Sequence, residues 1–284
     1  MRDRRSVPIR EGAMETMKPI SDARPDQWAR LQFLFTDIDD TLTTDGQLPA
    51  EAYAMVERLA EAGLVVIPVT GRPAGWCDMI ARFWPVGAVV GENGAFYFRY
   101  DRPKRQLERV FALSMDERQS NRRKLDKLRD MILAKVPGAA VASDQAYRDS
   151  DLAIDFCEDV ARLSNEAINR IVELFEDAGA SAKVSSIHVN GWFGTHDKLS
   201  MVRQLMREAF EIDIAQSASR SQCAFIGDSP NDAPMFGYFE NSVGVANVVA
   251  LADQCQAWPN WVTSRPSGAG FCEFGAAVLA GRGA

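Results

Sequence analysis

The chain has 284 residues, of which 46% are hydrophobic and 25% charged, and this composition excludes a wholly disordered protein. Its net charge of -7 disfavours nucleic acid or an anionic membrane surface as a partner. No run approaches the roughly 20 apolar residues of a membrane span. The five cysteines are scattered without metal-binding spacing, and the first 30 residues lack the apolar core of a secretory signal. We therefore expect a cytoplasmic protein without a disulfide framework.

The first part of the chain predicts an α/β core. We expect a disordered tail over residues 1–30, followed at 31–36 by a short apolar run that ends in acidic residues, which is typical of a buried parallel strand. The next predicted elements are a helix over 49–62, a strand over 64–70, a helix that ends near Pro85 and a strand over 86–90. This alternation indicates a Rossmann-like, doubly wound parallel sheet.

Residues 95–193 have a different pattern, which predicts an inserted α+β cap domain whose sheet is open on one face. Its predicted elements are a hairpin (96–100 and 109–113), helices over 116–135 and 164–178, and strands near 139–143, 152–156 and 182–190. From residue 197 the alternation of helix and strand resumes. The predicted core domain therefore comprises residues 31–94 and 194–284.

Two carboxylates follow the first predicted strand, in the segment Asp37-Ile38-Asp39-Asp40-Thr41. Ligands of open α/β sheets lie beyond the carboxyl ends of the strands, where Asp37 could act as a nucleophile and Asp39 as a general acid and base, or the reverse. An aspartate-rich turn that caps a helix is one alternative at this point. A glycosyltransferase-type Asp-x-Asp metal site is another.

Two further segments predict contacts to an anion. Thr70-Gly71-Arg72-Pro73 follows the second strand and combines a hydroxyl group, a glycine and a helix begun by proline, although a simple helix cap uses the same residues. Lys198 follows a candidate N-cap, Asp197, so it lies in a first helical turn, where the helix dipole disfavours a cation by roughly 0.3 to 1 kcal/mol. A nearby anion would explain this placement, and a solvated lysine is the alternative.

A second acidic turn, Gly227-Asp228-Ser229-Pro230-Asn231-Asp232, follows a predicted strand over 223–226. Asp228 is placed where it can reach a metal held by the first pair of aspartates. Ser229 as N-cap, Pro230 after it and Asp232 at the third position also fit a capping box. Asp232 is therefore predicted either to bind metal or only to cap its helix.

Taken in order, these segments resemble the hallmark motifs of the haloacid dehalogenase (HAD) superfamily: Asp-x-Asp-x-Thr, a Thr after the next strand, a Lys, and Gly-Asp-x-x-Asn-Asp. The resemblance covers residues 31–284. The insert, introduced by Gly91-Glu92-Asn93-Gly94-Ala95, is similar to the large α/β cap of the Cof-type branch, which includes trehalose-, sucrose- and mannosyl-phosphoglycerate phosphatases. Leu199 follows the lysine where the family often has glycine, which leaves the charge intact.

The resemblance implies a phosphatase, a phosphoric monoester hydrolase that acts on a phosphorylated sugar or a similar small molecule. It implies that Asp37 attacks phosphorus to form an aspartyl-phosphate. It also implies that Asp39 protonates the leaving oxygen and then activates water, while Thr70 and Lys198 hold the phosphoryl oxygens.

The resemblance also implies a Mg²⁺ cofactor, bound by Asp37, the backbone carbonyl of Asp39 and Asp228, with Asp232 as a further candidate ligand. Electrostatics agree with a cation, because each pair of like charges in such a site costs roughly 4 kcal/mol at 4 Å in a medium of effective dielectric 20. Mg²⁺ suits a site with oxygen ligands from few protein groups.

Substrate contacts are expected from both predicted domains. In the core the candidates are Gly71, Arg72 and Asn93, and in the cap they are His188 and Asn190, whose polar groups could meet a sugar. The alternative for the cap residues is an edge strand in which His188 only makes hydrogen bonds within the protein. For the whole protein, the alternatives are a phosphomannomutase-like isomerase and a binding module without enzymatic activity.

Overall fold

The structure, a computed structural model, describes residues 17–24, 26–185, 187–254 and 256–283, without the side chains of 252–254. The described residues form two compact units: one contains those up to Val65 and those from Gln216 onward, and the other contains Val66–Ala215. None of the helices in the described ranges is long and apolar enough to cross a membrane.

The secondary structure alternates over most of the chain. The strands are β1 (Lys18–Pro19), β2 (Phe33–Thr36), β3 (Val65–Pro68), β4 (Val89–Gly91), β5 (Phe96–Asp101), β6 (Gln106–Phe111), β7 (Ala140–Val141), β8 (Leu152–Asp155), β9 (Ser181–Val184), β10 (His188–Trp192), β11 (Cys223–Gly227), β12 (Asn241–Gly244) and β13 (Trp261–Val262). The α-helices are α1 (Ala50–Glu61), α2 (Ala74–Phe83), α3 (Met115–Lys135), α4 (Asn165–Asp177), α5 (Lys198–Ala209), α6 (Ser217–Arg220), α7 (Ala233–Tyr238) and α8 (Ser267–Arg282). Short 3₁₀ helices lie at Ile20–Asp22, Glu92–Gly94, Ser143–Tyr147, Pro230–Asp232 and Ala246–Gln254.

The first unit is built on a parallel sheet with the strand order β1, β13, β12, β11, β2. Its central strands are buried on both faces, as their apolar sequences predict: Phe35 and Phe225 lie opposite each other in register and are fully buried. Val65, the first residue of β3, donates its N–H to Gln32 O at 2.8 Å and so begins a further strand beside β2. The predicted α/β class with a central parallel sheet is confirmed.

Residues 17–24 and 26–30 belong to this unit, whereas the sequence predicts a disordered tail over 1–30. β1 pairs with β13, and Trp28 is 1% exposed. Its ring centroid lies 5.1 Å from that of Phe274 and 5.6 Å from that of Trp261. The predicted tail is too long, because burial of this aromatic side chain fixes the segment against α8 and β13. Residues 1–16 lie outside the described residues.

In the second unit, the chain passes from the end of β3 into a hairpin sheet. Val69 forms a parallel bridge with Val90, and Thr70 donates its N–H to Val90 O at 2.9 Å. β4 pairs antiparallel with β5, and β5 pairs antiparallel with β6. The strand predicted over 86–90 is therefore β4, which joins the end of β3 on one side and the predicted hairpin on the other.

A second antiparallel sheet in this unit has the strand order β7, β8, β10, β9. Helices α3 and α4 pack on one face through an apolar cluster that includes Leu128, Ile132, Ile154, Ile171, Phe175 and Val189. Strand alternation places Asp155, His188, Asn190 and Trp192 on the opposite face. These four residues are buried too, so this face is not open as predicted.

The strand predicted over 182–190 is wrong, because the structure has two strands, β9 and β10, that form a hairpin. Ser185 closes the turn between them: its N–H donates to His188 O at 2.8 Å, and its Oγ accepts the His188 N–H at 2.9 Å. Serine side chains commonly substitute for backbone partners in turns, and the apolar alternation changes phase here, from residues 182 and 184 to residues 187 and 189.

The predicted division into a core (31–94 and 194–284) and a cap (95–193) stays a prediction. The compact units divide the chain after Val65 and before Gln216, so residues 66–94 and 194–215 lie in the same unit as the predicted cap.

Trp28→Ala would remove a large buried side chain and leave a cavity beside Phe274 and Trp261. We expect the free energy of unfolding to fall by about 3 to 5 kcal/mol, as measured by urea denaturation. Phe83→Ala, at a 73% exposed position on α2, is the control and should change it by less than about 1 kcal/mol. A loss below about 1 kcal/mol for Trp28→Ala would mean that this segment is not part of the first unit's core.

Candidate functional site

The carboxyl end of β2 fixes Asp37 and Asp39 at the edge of the parallel sheet. Asp37 continues the sheet ladder, because its N–H donates to Ile226 O at 2.9 Å, and its side chain is buried. The turn that follows is tight, since the N–H groups of residues 41–43 all donate to Ile38 O. Asp39 lies in this turn and is half-buried.

The carboxyl end of β11 carries the second acidic turn, in which Asp228 and Asp232 are buried. Asp232 Oδ2 accepts the N–H groups of Asp228 at 3.2 Å and Ser229 at 3.4 Å, so Asp232 does cap this turn. A Cβ atom at Gly227 would lie 2.4 Å from Asp232 Oδ2. Glycine is therefore required for Asp232 to fold back over the end of the strand.

These two strand ends meet because β2 and β11 are adjacent and parallel. One carboxyl oxygen each from Asp37, Asp228 and Asp232 lies within 4.8 Å of the others, and Thr41 Oγ1 donates to Asp228 Oδ1 at 3.2 Å. Three buried carboxylates so close together repel one another, and their oxygen atoms fit a hard divalent cation. Within the described ranges the side chain of Asp39 is not part of this cluster, and the predicted metal contact of its carbonyl stays a prediction.

In the second unit, Thr70, Gly71 and Arg72 follow β3. Thr70 is fully buried, and its Oγ1 accepts the Arg72 N–H at 3.0 Å. The guanidinium of Arg72 lies 4.5 Å from the ring centroid of Trp76 and 3.9 Å from Glu158 Oε1. Arg72 is thus held between an aromatic ring and a carboxylate of its own unit.

The loop at Glu92–Gly94 positions Asn93 beside the Thr70 segment. Its three residues have φ values of 43°, 55° and 100°, which places the backbone in the left-handed region at three successive positions. Asn93 donates its N–H to Thr70 O at 3.1 Å, and its side-chain amide packs against Gly71. The structure therefore brings together these three predicted site residues.

The same loop contacts the start of α5, where Lys198 is the first residue and is buried. Asp197 is the N-cap, as predicted, since its side chain accepts the Ser200 N–H at 2.7 Å. A Cβ atom at Gly94 would lie 2.0 Å from Asp197 O, so glycine is needed for this close approach. Lys198 thus begins its helix next to the loop that holds Asn93.

Glu92 is a buried residue to which the sequence gives no role. Its carboxyl group accepts the N–H of Ala74 at 3.0 Å and those of residues 149–151 at 2.8, 2.6 and 3.2 Å. Burial and the neighbouring Asp151 raise the pKa of Glu92 to about 8, whereas Arg148 and the N–H groups oppose the rise. Glu92 ties the helix after the Thr70 segment to the loop before β8.

Arg148, which the sequence pattern also misses, is a buried cation at the centre of this unit. It donates two hydrogen bonds to Asp144 at 2.9 and 3.0 Å, others to Asp151 at 3.0 and 3.1 Å, and one to Gly71 O at 3.1 Å. The contact with Gly71 spans 77 positions of sequence. No local motif can indicate a contact of that range.

His188 and Asn190 lie on the face of the β7–β8–β10–β9 sheet opposite α3 and α4. Asn190 Nδ2 donates to Asp151 Oδ2 at 3.0 Å, which connects it to Arg148. His188 Nε2 lies 2.9 Å from Glu158 Oε2 but is not aligned for a hydrogen bond. Their predicted role in substrate binding stays a prediction.

His196 lies between β10 and α5 and is 8% exposed. Its ring stacks on Trp192, with 5.8 Å between ring centroids and 25° between the ring planes. Neither ring nitrogen has a hydrogen-bond partner. Burial lowers the pKa of His196 below its ordinary value of 6.5, against the opposing effect of Asp151 and Asp197.

This lowered pKa predicts a loss of stability in acid. Below pH 6.5 the unfolded chain binds a proton at His196 that the folded chain does not, so the free energy of unfolding should fall as the pH drops, by at most about 1.4 kcal/mol per pH unit. His196→Phe, which keeps an aromatic ring against Trp192, should lose less stability than wild type between pH 7.5 and 5.5 in urea denaturation. Equal losses in the two proteins would contradict a depressed His196 pKa.

Comparisons with known proteins agree with the motifs. Residues 34–118 match the family model of haloacid dehalogenase-like hydrolases. No curated protein sequence matches the chain.

Several solved structures share the fold. One from Plasmodium vivax, described as a HAD/COF-like hydrolase, has 18% identity and a TM-score of 0.63, over 88% of this chain and 96% of its own. A trehalose-6-phosphate phosphatase related protein has 14% identity and a TM-score of 0.58, over 86% and 95%. The sucrose-phosphatase of Synechocystis sp., in complex with sucrose and phosphate, has 16% identity and a TM-score of 0.57, over 87% and 98%. The resemblance is thus confirmed: the chain has the fold of the haloacid dehalogenase-like hydrolases, and its residues 34–118 match that family.

Proposed function

We propose that this protein is a Mg²⁺-dependent phosphatase that hydrolyses a phosphoric monoester of a sugar or similar small metabolite through an aspartyl-phosphate. The observation that carries the proposal is the convergence of Asp37, Asp228 and Asp232 within 4.8 Å at the carboxyl edge of the parallel sheet. The match of residues 34–118 to haloacid dehalogenase-like hydrolases supports the same chemistry, as does the fold shared with a sucrose-phosphatase.

The acidic cluster supplies the oxygen ligands that Mg²⁺ prefers, from Asp37, Asp228 and Asp232, and the proposal adds the backbone carbonyl of Asp39. When bound, Mg²⁺ neutralises these carboxylates and polarises the phosphoryl oxygens.

Asp37 and Asp39 carry the two half-reactions. In the first, a carboxylate oxygen of Asp37 attacks phosphorus, the bond from phosphorus to the leaving oxygen breaks, and Asp39 protonates that oxygen. In the second, Asp39 accepts a proton from water, the water oxygen attacks phosphorus, and the bond to Asp37 breaks to release phosphate. The sequence motifs give Thr70 and Lys198 the role of holding the phosphoryl oxygens.

The nucleophile can be tested with Asp37→Asn. We expect Mg²⁺-dependent release of inorganic phosphate from sugar phosphates to fall by at least about 10³-fold, because the amide cannot form the aspartyl-phosphate. The panel contains trehalose, sucrose, mannosylglycerate and hexose phosphates. Asp45→Asn, at an exposed position just after the same turn, is the matched control and should keep wild-type activity.

Two outcomes would contradict this assignment. If Asp37→Asn retained most of the turnover, another group would have to be the nucleophile. If a hexose 1-phosphate were converted to the 6-phosphate without release of phosphate, the phosphomannomutase-like alternative would replace the phosphatase.

Thermal unfolding tests the metal site without any substrate. Mg²⁺ at about 100 times its Kd should stabilise the wild-type protein by about 2.7 kcal/mol, which raises Tm by several degrees. Asp228→Asn removes one of the three carboxylates and should gain little from Mg²⁺. Asp45→Asn should behave as wild type in both conditions. A Mg²⁺-induced rise that survives in Asp228→Asn would place the metal elsewhere.

A further inference from the structure

The turn after β2 has a strained backbone conformation directly beside Asp39. Asp40 has a φ of 55°, in the left-handed region that residues other than glycine seldom adopt. Such a conformation persists only where surrounding contacts hold it. The contacts that hold Asp40 therefore also fix the path of the chain as it leaves Asp39.

The turn itself holds the N–H side of Asp40. This N–H donates to Thr43 Oγ1 at 3.0 Å, and the Thr43 hydroxyl donates to Ile38 O at 3.2 Å. Ile38 O also accepts the N–H groups of residues 41–43. This half of the arrangement is thus determined by a few consecutive residues.

The carbonyl side of Asp40 is held by Asn247, a half-buried residue of the 3₁₀ helix that follows β12. Asn247 Nδ2 donates to Asp40 O at 3.0 Å, across 207 positions of sequence. The same amide binds Ser267, the first residue of α8: Nδ2 donates to Ser267 Oγ at 3.1 Å, and Oδ1 accepts the Ser267 N–H at 2.9 Å. The amide group of Asn247 therefore connects the turn beside Asp39 to the start of α8.

The start of α8 is itself packed on this turn. Ser267 is also left-handed, with a φ of 50°. The N–H of Gly268 donates to Thr44 Oγ1 at 3.3 Å, and a Cβ atom at Gly268 would lie 2.8 Å from Leu42 O. Asn247 thus joins two strained segments that touch each other, and all of these residues belong to the first unit.

An amide suits the partners of Asn247, whereas a carboxylate does not. The backbone carbonyl of Asp40 can only accept a hydrogen bond, and the backbone N–H of Ser267 can only donate one. An aspartate at position 247 could still accept from Ser267, but it would place an oxygen against Asp40 O. The contact with the turn would then change from attraction to repulsion.

We propose that Asn247 is a positioning residue, which holds Asp39 where it can protonate the leaving oxygen. This inference rests on the proposed phosphatase function, in which Asp39 is the general acid. On one side of Asp39 the chain is fixed by the hydrogen bond from the Asp37 N–H to Ile226 O, and on the other side by the hydrogen bond from Asn247. Misplacement of a catalytic group by about 1 Å can lower a rate by about 10²-fold.

Phenyl phosphate and p-nitrophenyl phosphate test the inference, because they differ only in a nitro group that makes the leaving oxygen much less basic. Phenol, like the tyrosine side chain, has a pKa of about 10, so its departure gains from a general acid, whereas p-nitrophenolate leaves without one. We expect Asn247→Ala to lower kcat/KM for phenyl phosphate by at least about tenfold more than kcat/KM for p-nitrophenyl phosphate. A loss of folded protein would lower both values equally.

Two further variants accompany Asn247→Ala. Asn247→Asp keeps the side-chain shape and the bond from the Ser267 N–H, so it tests the inference even if Asn247→Ala folds poorly, and it should lower the same ratio. Asn260→Ala is the matched control, because the exposed Asn260 amide also donates to a backbone carbonyl, Glu240 O at 2.9 Å, but precedes β13 at the opposite edge of the sheet. It should leave the ratio unchanged.

A double mutant shows whether Asn247 acts through Asp39. Asp39→Asn should itself lower the ratio of the two kcat/KM values, because the amide cannot donate an acidic proton. In the Asp39→Asn background, Asn247→Ala should not lower the ratio further, since the group that it positions is already absent.

The outcomes separate this inference from the proposed function. Equal effects on the two esters in both Asn247 variants would overturn the inference alone, as would a further fall of the ratio in the Asp39→Asn background. An unchanged ratio in Asp39→Asn would remove Asp39 as the general acid, and the inference with it. If wild type releases phosphate from neither aryl ester nor any sugar phosphate in the presence of Mg²⁺, the proposed function itself is wrong.

Discussion

Repulsion among three buried carboxyl groups is the constraint on which the first unit depends. Their oxygens lie within 4.8 Å of one another, where each like-charged pair costs roughly 4 kcal/mol at an effective dielectric of 20. The fold itself imposes this cost, because the pairing of β2 with β11 makes Asp37 and Asp228 leave the sheet at the same edge. The hydrogen bonds to Asp232 Oδ2 then keep the third carboxyl group close. Such a local conflict is expected at a functional site and rarely elsewhere.

The second unit also buries charge, and the partners of its central arginine lie within the same unit. Arg148 has two carboxylate partners and a carbonyl, and Glu92 accepts four backbone N–H groups. Removal of one partner from a buried pair typically costs about 3 to 5 kcal/mol, because the other charge is left uncompensated. These groups therefore act as a scaffold for the Thr70 segment.

The features that the sequence predicts correctly are those determined by a few consecutive residues. The strand before Asp37, the turn that Asp232 caps and the N-cap of Lys198 are each determined by a short segment, and the structure has them. The features that it misses depend on distant partners. Trp28 is buried because of Phe274 and Trp261, and Arg148 reaches Gly71 across 77 positions. The turn at Ser185 does have a local signal, since two successive serines shift the apolar alternation from residues 182 and 184 to residues 187 and 189.

This difference in range explains why motifs indicate a reaction more readily than a substrate. The acidic groups proposed for the chemistry directly follow two adjacent strands. Any chain that keeps the two turns after those strands therefore keeps the acidic groups. The groups around Arg148 come from segments that are far apart in the sequence, and no short motif specifies their contacts. At 14% to 18% identity, the solved relatives share the fold but have largely different side chains. Substrate selection therefore depends on this chain's own side chains rather than on the fold that it shares with those structures.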